Sequence, residues 1–173
     1  MDALIEFGKL LIPASVVLYA VYLLVKSFTQ KEIDLKNLEV RGSNLATILP
    51  IRLQAYERMT LFLERVAPHN MLIRLNTASI PSREFHQLLL AEIRNEYNHN
   101  VAQQVYIGED VWNLIKGAKE DLILTINEAA AEMPQEASSL DLSKKIFEKT
   151  INKSIDPIGH AISELKKEIQ RTF

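Results

Sequence analysis

The densest run of chemistry-bearing side chains is Glu92, Arg94, Asn95, Glu96, Asn98, His99 and Asn100, seven polar or charged residues within nine positions. Arg94 is followed directly by Asn95 and, five positions on, by His99. A guanidinium holds anionic oxygen in a planar fork, and an imidazole exchanges protons near neutral pH. Five residues advance a helix by about 140° beyond a full turn, so these two side chains converge only through a kink or a second chain. The plainer expectation is an ion pair between Arg94 and a nearby glutamate, with His99 as a hydrogen-bonded structural group. Glu96 and His99 also form one Glu-x-x-His pair, the spacing that a di-metal helical bundle uses twice. No second copy exists and His69, His86 and His160 lack the matching glutamate, so neither metal nor cofactor is expected.

The element that must carry this cluster is a helix over Ser82 to Tyr106. Apolar or aromatic residues recur every fourth position as Phe85, Leu89, Ile93, Tyr97, Val101 and Val105, a stripe that faces a core. Ser82 is its expected N-cap and Glu84 sits favourably in its first turn. Upstream, a helix opens at Pro50, with Ile51, Ala55, Met59, Phe62, Leu63 and Val66 on its core face. Leu53, Tyr56 and Leu61 place apolar surface on its other sides, which points to a helix buried twice over or facing a partner. A short turn at MLIRL follows. Downstream, Glu109 and Asp110 open a long helix with Val111, Trp112, Ile115, Ala118, Leu122, Ile126 and Ala129 at helical spacing, ending before Pro134. Leu140, Leu142, Ile146, Phe147 and Ile151 mark another, capped by Ser138 or Ser139. Asp156-Pro157 starts the last, with Ile158, Ala161, Ile162, Leu165 and Ile169 facing inward. The class is all-α, and about five helices form a bundle over 45–173.

Ahead of the bundle, residues 3 to 25 hold an apolar run from Leu10 to Val25 broken only by Pro13 and Ser15. Such a stretch reaches roughly 34 Å as a helix, enough for a hydrocarbon core of about 30 Å. The acidic leader, with Asp2 and Glu6, and the bulky end at Leu23, Leu24 and Val25 read as an uncleaved transmembrane anchor over 1–26 rather than a signal peptide. Lys26, Lys31, Lys36 and Arg41 follow the span and only Lys9 precedes its middle, so the C-terminal side is expected in the cytoplasm, making this a single-pass inner-membrane protein with its N-terminus outside. Residues 27–44 read as an amphipathic stalk that stops at Gly42-Ser43-Asn44.

Twenty basic and 22 acidic residues are interspersed, so no excess of charge advertises a polyanion partner, and the absence of cysteine excludes disulfides, thiolate metal sites and cysteine nucleophiles. Between Lys36 and Lys116 every cation is an arginine: Arg41, Arg52, Arg58, Arg65, Arg74, Arg83 and Arg94. Arginine suits interfaces and bidentate pairs, so Arg52, Arg58 and Arg65, with Asn98 and Asn100, are the candidate surface for a protein partner or a second copy of the chain.

Two resemblances bear on function. Arg94-Asn95-Glu96-Tyr97-Asn98-His99 resembles the active motif of the HEPN superfamily, small all-helical domains many of which cleave RNA without metal. That resemblance implies His99 as acid/base, Arg94 as phosphate clamp and Asn95 in support, at a dimer interface, with RNA as the partner. The order of an N-terminal span, LPIRLQAYERMTLFLER, REFHQLLLAEIRNEYNHN, QQVY and a Trp-bearing helix resembles an uncharacterised family of short, membrane-anchored bacterial proteins. It implies a single-span, cytoplasm-facing helical protein and no activity. The leading expectation is a membrane-tethered, non-enzymatic interaction or scaffold module, with the ribonuclease as the alternative.

Overall fold

The computed structural model describes the backbone of residues 2–75 and 80–172, and the side chains of 15–40, 46–75 and 80–171. Its elements are α1 (Asp2–Val66), α2 (Pro68–Leu75), α3 (Ser82–Asn100), a 3-10 helix (Val101–Tyr106), α4 (Glu109–Ala131), α5 (Ser139–Ile151) and α6 (Pro157–Thr172). Among the described residues there is no strand, only one antiparallel bridge between Pro81 and Ser138. The chain divides into two compact units, Met1–Leu49 and Pro50–Phe173.

The described residues of the first unit, from Asp2 on, are all helical. Its described side chains leave Val16 to Val25 exposed on every side, with Phe28, Leu35 and Leu38 exposed beyond them. Among the described residues no helix is long and apolar enough to cross a membrane. The anchor read over 1–26 falls largely on residues 1–14, whose side chains lie outside the described ones. The backbone does not stop at Gly42-Ser43-Asn44, and Pro50 lies inside α1 rather than at the first turn of a new helix. Proline there removes one intrahelical hydrogen bond, an interruption that a 65-residue helix carries.

In the second unit α4 packs against α3, α5 and α6, while α2 and α3 both lie on α5. Phe62 and Leu63 from α1, Phe85, Leu89 and Ile93 from α3, Ile115 and Ile126 from α4, and Leu142 and Ile146 from α5 are fully buried. All seven α4 positions read as core are buried. Aromatic rings run through the middle: Phe62 lies 5.9 Å from Tyr97, which stacks on Trp112 at 5.9 Å. Lys119 Nζ caps the Tyr97 face at 4.1 Å. Several apolar positions depart from the reading. Leu140 and Ile151 sit at the two ends of α5 and are exposed, and Ile51 on α1 is exposed as well.

Two local departures have clear causes. Ser82 does not cap α3, whose N-cap is Pro81 with no side-chain bond. Instead Ser82 is buried and its N–H donates to the Ala137 carbonyl at 2.9 Å, part of the bridge to the loop before α5. At the other end the α-helix stops at Asn100 rather than at Tyr106. The Asn100 side-chain amide donates to the Glu96 carbonyl at 2.8 Å, and the backbone tightens to a 3-10 helix. A period of three in place of 3.6 rotates Val105 off the buried stripe, and it ends 78% exposed.

A chain of hydrogen bonds ties α1, α6 and the start of α4. The Arg52 guanidinium donates to the Tyr56 hydroxyl at 2.9 Å, and that hydroxyl donates to Glu168 Oε1 at 2.6 Å. The same oxygen accepts the Gly108 N–H at 2.8 Å, so a carboxylate from α6 caps α4 in place of a local side chain. Burial, and then the neighbouring Glu168, push the Tyr56 phenol above its ordinary range. A raised pKa means that the neutral phenol belongs to the folded state. Its contribution is complete below the unfolded pKa of about 10 and is lost as pH rises through the higher folded value. Alkaline melting of the full chain therefore steepens above pH of about 10, and the slope relaxes in Tyr56→Phe. Parallel slopes for the two proteins would remove Tyr56 from the account.

Candidate functional site

The polar face of α3 is built by the same periodicity that buries its other side. With Phe85, Leu89 and Ile93 fixed in the core, Arg94, Asn95, Asn98 and His99 are exposed, and Glu92 and Glu96 are half-buried. Asn100 is buried, held by its bond to the Glu96 carbonyl, and is not presented to the surface.

The two glutamates lie one turn apart and are taken by arginines from other helices. Arg65, at the end of α1, reaches Glu96 at 2.6 Å and Glu92 at 3.7 Å. Arg74, at the end of α2, reaches Glu92 at 2.7 Å and also donates to the Arg65 carbonyl at 3.3 Å. These side chains are partly solvated, so each pair contributes at most about 1 kcal/mol. Together they fasten the ends of α1 and α2 to α3. The arginine bias of this half therefore serves the fold at Arg65 and Arg74, and at Arg52 through Tyr56. Arg58 is half-buried. Arg94, the arginine nearest both glutamates in sequence, makes no ion pair among the described residues.

α3 is unbroken from Ser82 to Asn100. Without a kink Arg94 and His99 diverge by about 140° around its axis, and the chain by itself does not bring them to one point. Glu96, the carboxylate partner of His99 in the Glu-x-x-His spacing, is occupied by Arg65. Among the described residues no group of three or more histidine, aspartate or glutamate side chains is placed to hold a metal ion.

Two of the concavities among the described residues of the second unit bear on function. One, of about 430 Å³, is an almost wholly apolar groove where α1 meets α6, walled by Leu53, Leu61, Leu165 and Ile169. It is the surface read from the apolar residues on the second side of the Pro50 stretch. The other, of about 680 Å³, lies where the first turn of α3 meets the last turns of α4. Arg83, His86, Asn127 and Gln135 face it. Sequence reasoning missed this set because no local spacing joins it: His86 and Asn127 are 41 positions apart and meet only through the packing of α3 on α4.

Compared with known proteins, residues 2–172 match the model of a family of unknown function, DUF7935. No curated protein and no solved structure matches the chain.

Proposed function

The chain belongs to this family of unknown function, and from that premise we propose that it is a membrane-tethered helical interaction module. Residues 1–26 form the tether in the cytoplasmic membrane, and the Pro50–Phe173 unit stands on the cytoplasmic side, where it meets a protein partner or a second copy of the chain. The observation that carries this reading is the apolar run of α1. Val16, Val17, Leu18, Tyr19, Val21, Tyr22, Leu23, Leu24 and Val25 are each between 47% and 71% exposed, on all sides of the helix. A helix that is apolar all round demands an apolar surrounding. Leaving these nine side chains in water forgoes on the order of 10 kcal/mol of burial. Lipid supplies that surrounding, and the sequence extends the run back to Leu10.

The lysines and arginine that follow the run support the cytoplasmic orientation. On the second unit, Leu53 and Leu61 stay exposed beside the buried Ala55, Met59 and Leu63, so α1 keeps apolar surface after its core face is spent. Arg58 and Asn98 belong to the same reading of the unit as a partner surface. The experiment is membrane partition: the full chain stays in the membrane pellet through alkaline carbonate extraction, and its release into the supernatant would overturn the tether.

A further inference from the structure

The groove between α3 and α4 is an open cleft whose loop wall is held by backbone hydrogen bonds. Its outer wall, the loop from Glu132 to Ser138, is pinned at several points. Met133 N donates to the Ala130 carbonyl at 3.1 Å and Ala137 N to the Pro134 carbonyl at 3.1 Å. The bridge to α3 adds Ser82 N to the Ala137 carbonyl at 2.9 Å and Ser139 N to the Ile80 carbonyl at 3.1 Å. The loop then closes on α5 through a capping box, with the Ser138 N–H donating to Asp141 Oδ2 at 3.0 Å and Asp141 N donating to Ser138 Oγ at 3.2 Å. Across the inner side, His86 Nε2 lies 2.8 Å from Asn127 Oδ1. With Asn127 Oδ1 as the acceptor, the ring proton sits on Nε2 and the Asn127 Nδ2 amide is left to donate elsewhere.

The lining mixes two chemistries. It offers the Arg83 guanidinium and the side-chain amides of Asn127 and Gln135, all hydrogen-bond donors. Ala130, Met133 and Pro134 add apolar surface to the same lining. Among the described lining residues there is no carboxylate, and Arg83 is the one permanent charge. A single guanidinium beside neutral amides matches a monoanion: its fork takes the two oxygens of a carboxylate, and the amides complete their remaining lone pairs. A phosphate dianion would call for more positive charge than this lining holds. The volume, about 680 Å³, lies in the range of small-molecule clefts.

From these observations we infer that the α3–α4 groove binds a small organic acid, a carboxylate carried on an apolar body, with Arg83 holding the carboxylate and Asn127, oriented by His86, donating beside it. This goes beyond the interaction module and does not depend on the tether.

The test uses the full chain in micelles of a neutral detergent and follows the ligand by saturation-transfer NMR. Butyrate is the probe, and butyramide, of the same shape without the charge, is the control. Butyrate gives a saturable signal and butyramide binds at least about tenfold more weakly, because only the anion engages the guanidinium. Arg83→Gln loses about tenfold in butyrate affinity while the fluorescence of Trp112 stays that of the folded protein, since Arg83 is exposed and its removal disturbs no core contact. Asn127→Asp, which sets a like charge against the carboxylate, loses binding at least as severely. Equal binding of butyramide, unchanged butyrate binding in Arg83→Gln, or no saturable signal up to about 10 mM butyrate would each overturn the assignment.

Discussion

Arginine placed at both Leu18 and Val21 is expected to shift the full chain from the membrane pellet to the soluble fraction. The two positions lie in the middle of the apolar run and are 71% and 49% exposed, so neither substitution disturbs a contact within the protein. At the centre of a membrane helix each arginine costs about 2.5 to 3.5 kcal/mol on the insertion scale, and the pair outweighs the gain from the remaining apolar residues. The Pro50–Phe173 unit keeps its own core, so the released protein retains the Trp112 emission of the folded state. Membrane retention of the double variant would mean that something other than this run holds the protein. Aggregation of the parent chain without lipid, relieved by the two arginines, would point the same way as release.

The second large effect concerns the core. Phe62→Ala is expected to destabilise the Pro50–Phe173 unit by about 3 to 5 kcal/mol, read by urea denaturation of the full chain in micelles with Trp112 as the probe. Phe62 is 1% exposed and packs against Tyr97, which in turn stacks on Trp112, so its removal empties the contact that joins α1 to the α3–α4 pair. Leu61→Ala, one position along but 53% exposed, costs less than about 1 kcal/mol. A comparable loss for both would mean that α1 is held by its outer face as strongly as by its inner one.

The contrast between those two neighbours marks what the sequence makes legible. Four-residue spacing placed Phe85, Leu89 and Ile93 on one buried stripe and the α4 core residues on another, because burial along a regular helix follows from period alone. The caps of α5 and α6 were equally readable. Ser138 accepts from Asp141 N, and Asp156 Oδ1 accepts from the N–H groups of Ile158 and Gly159. Breakers were read too strongly. Gly42, Ser43, Asn44 and Pro50 lie within α1, since propensity is a weak term against a long helix. Ser82 has the right residue type for a cap, yet a tertiary bridge claims its backbone, and no local pattern foretells that.

The polar face was legible in type and not in pairing. Glu92 and Glu96 do receive arginines, but from the ends of α1 and α2 and not from Arg94 beside them. Arg94 and His99, adjacent as a motif, separate once α3 is a straight helix. The groove set of Arg83, His86 and Asn127 shows the reverse, residues with no motif that the fold assembles. Within one helix the spacing decides which side chains converge, and between helices only packing does.

The most direct measurement of the tethered arrangement is single-cysteine labelling in intact cells with a membrane-impermeant maleimide. The chain contains no cysteine, so each introduced thiol reports alone. Ser154→Cys lies at an exposed position in the loop between α5 and α6, and Asp2→Cys precedes the apolar run. The account predicts that Asp2→Cys is labelled in intact cells and that Ser154→Cys is labelled only after lysis. Labelling of Ser154→Cys in intact cells, or protection of both positions in a protein found in the soluble fraction, would contradict it.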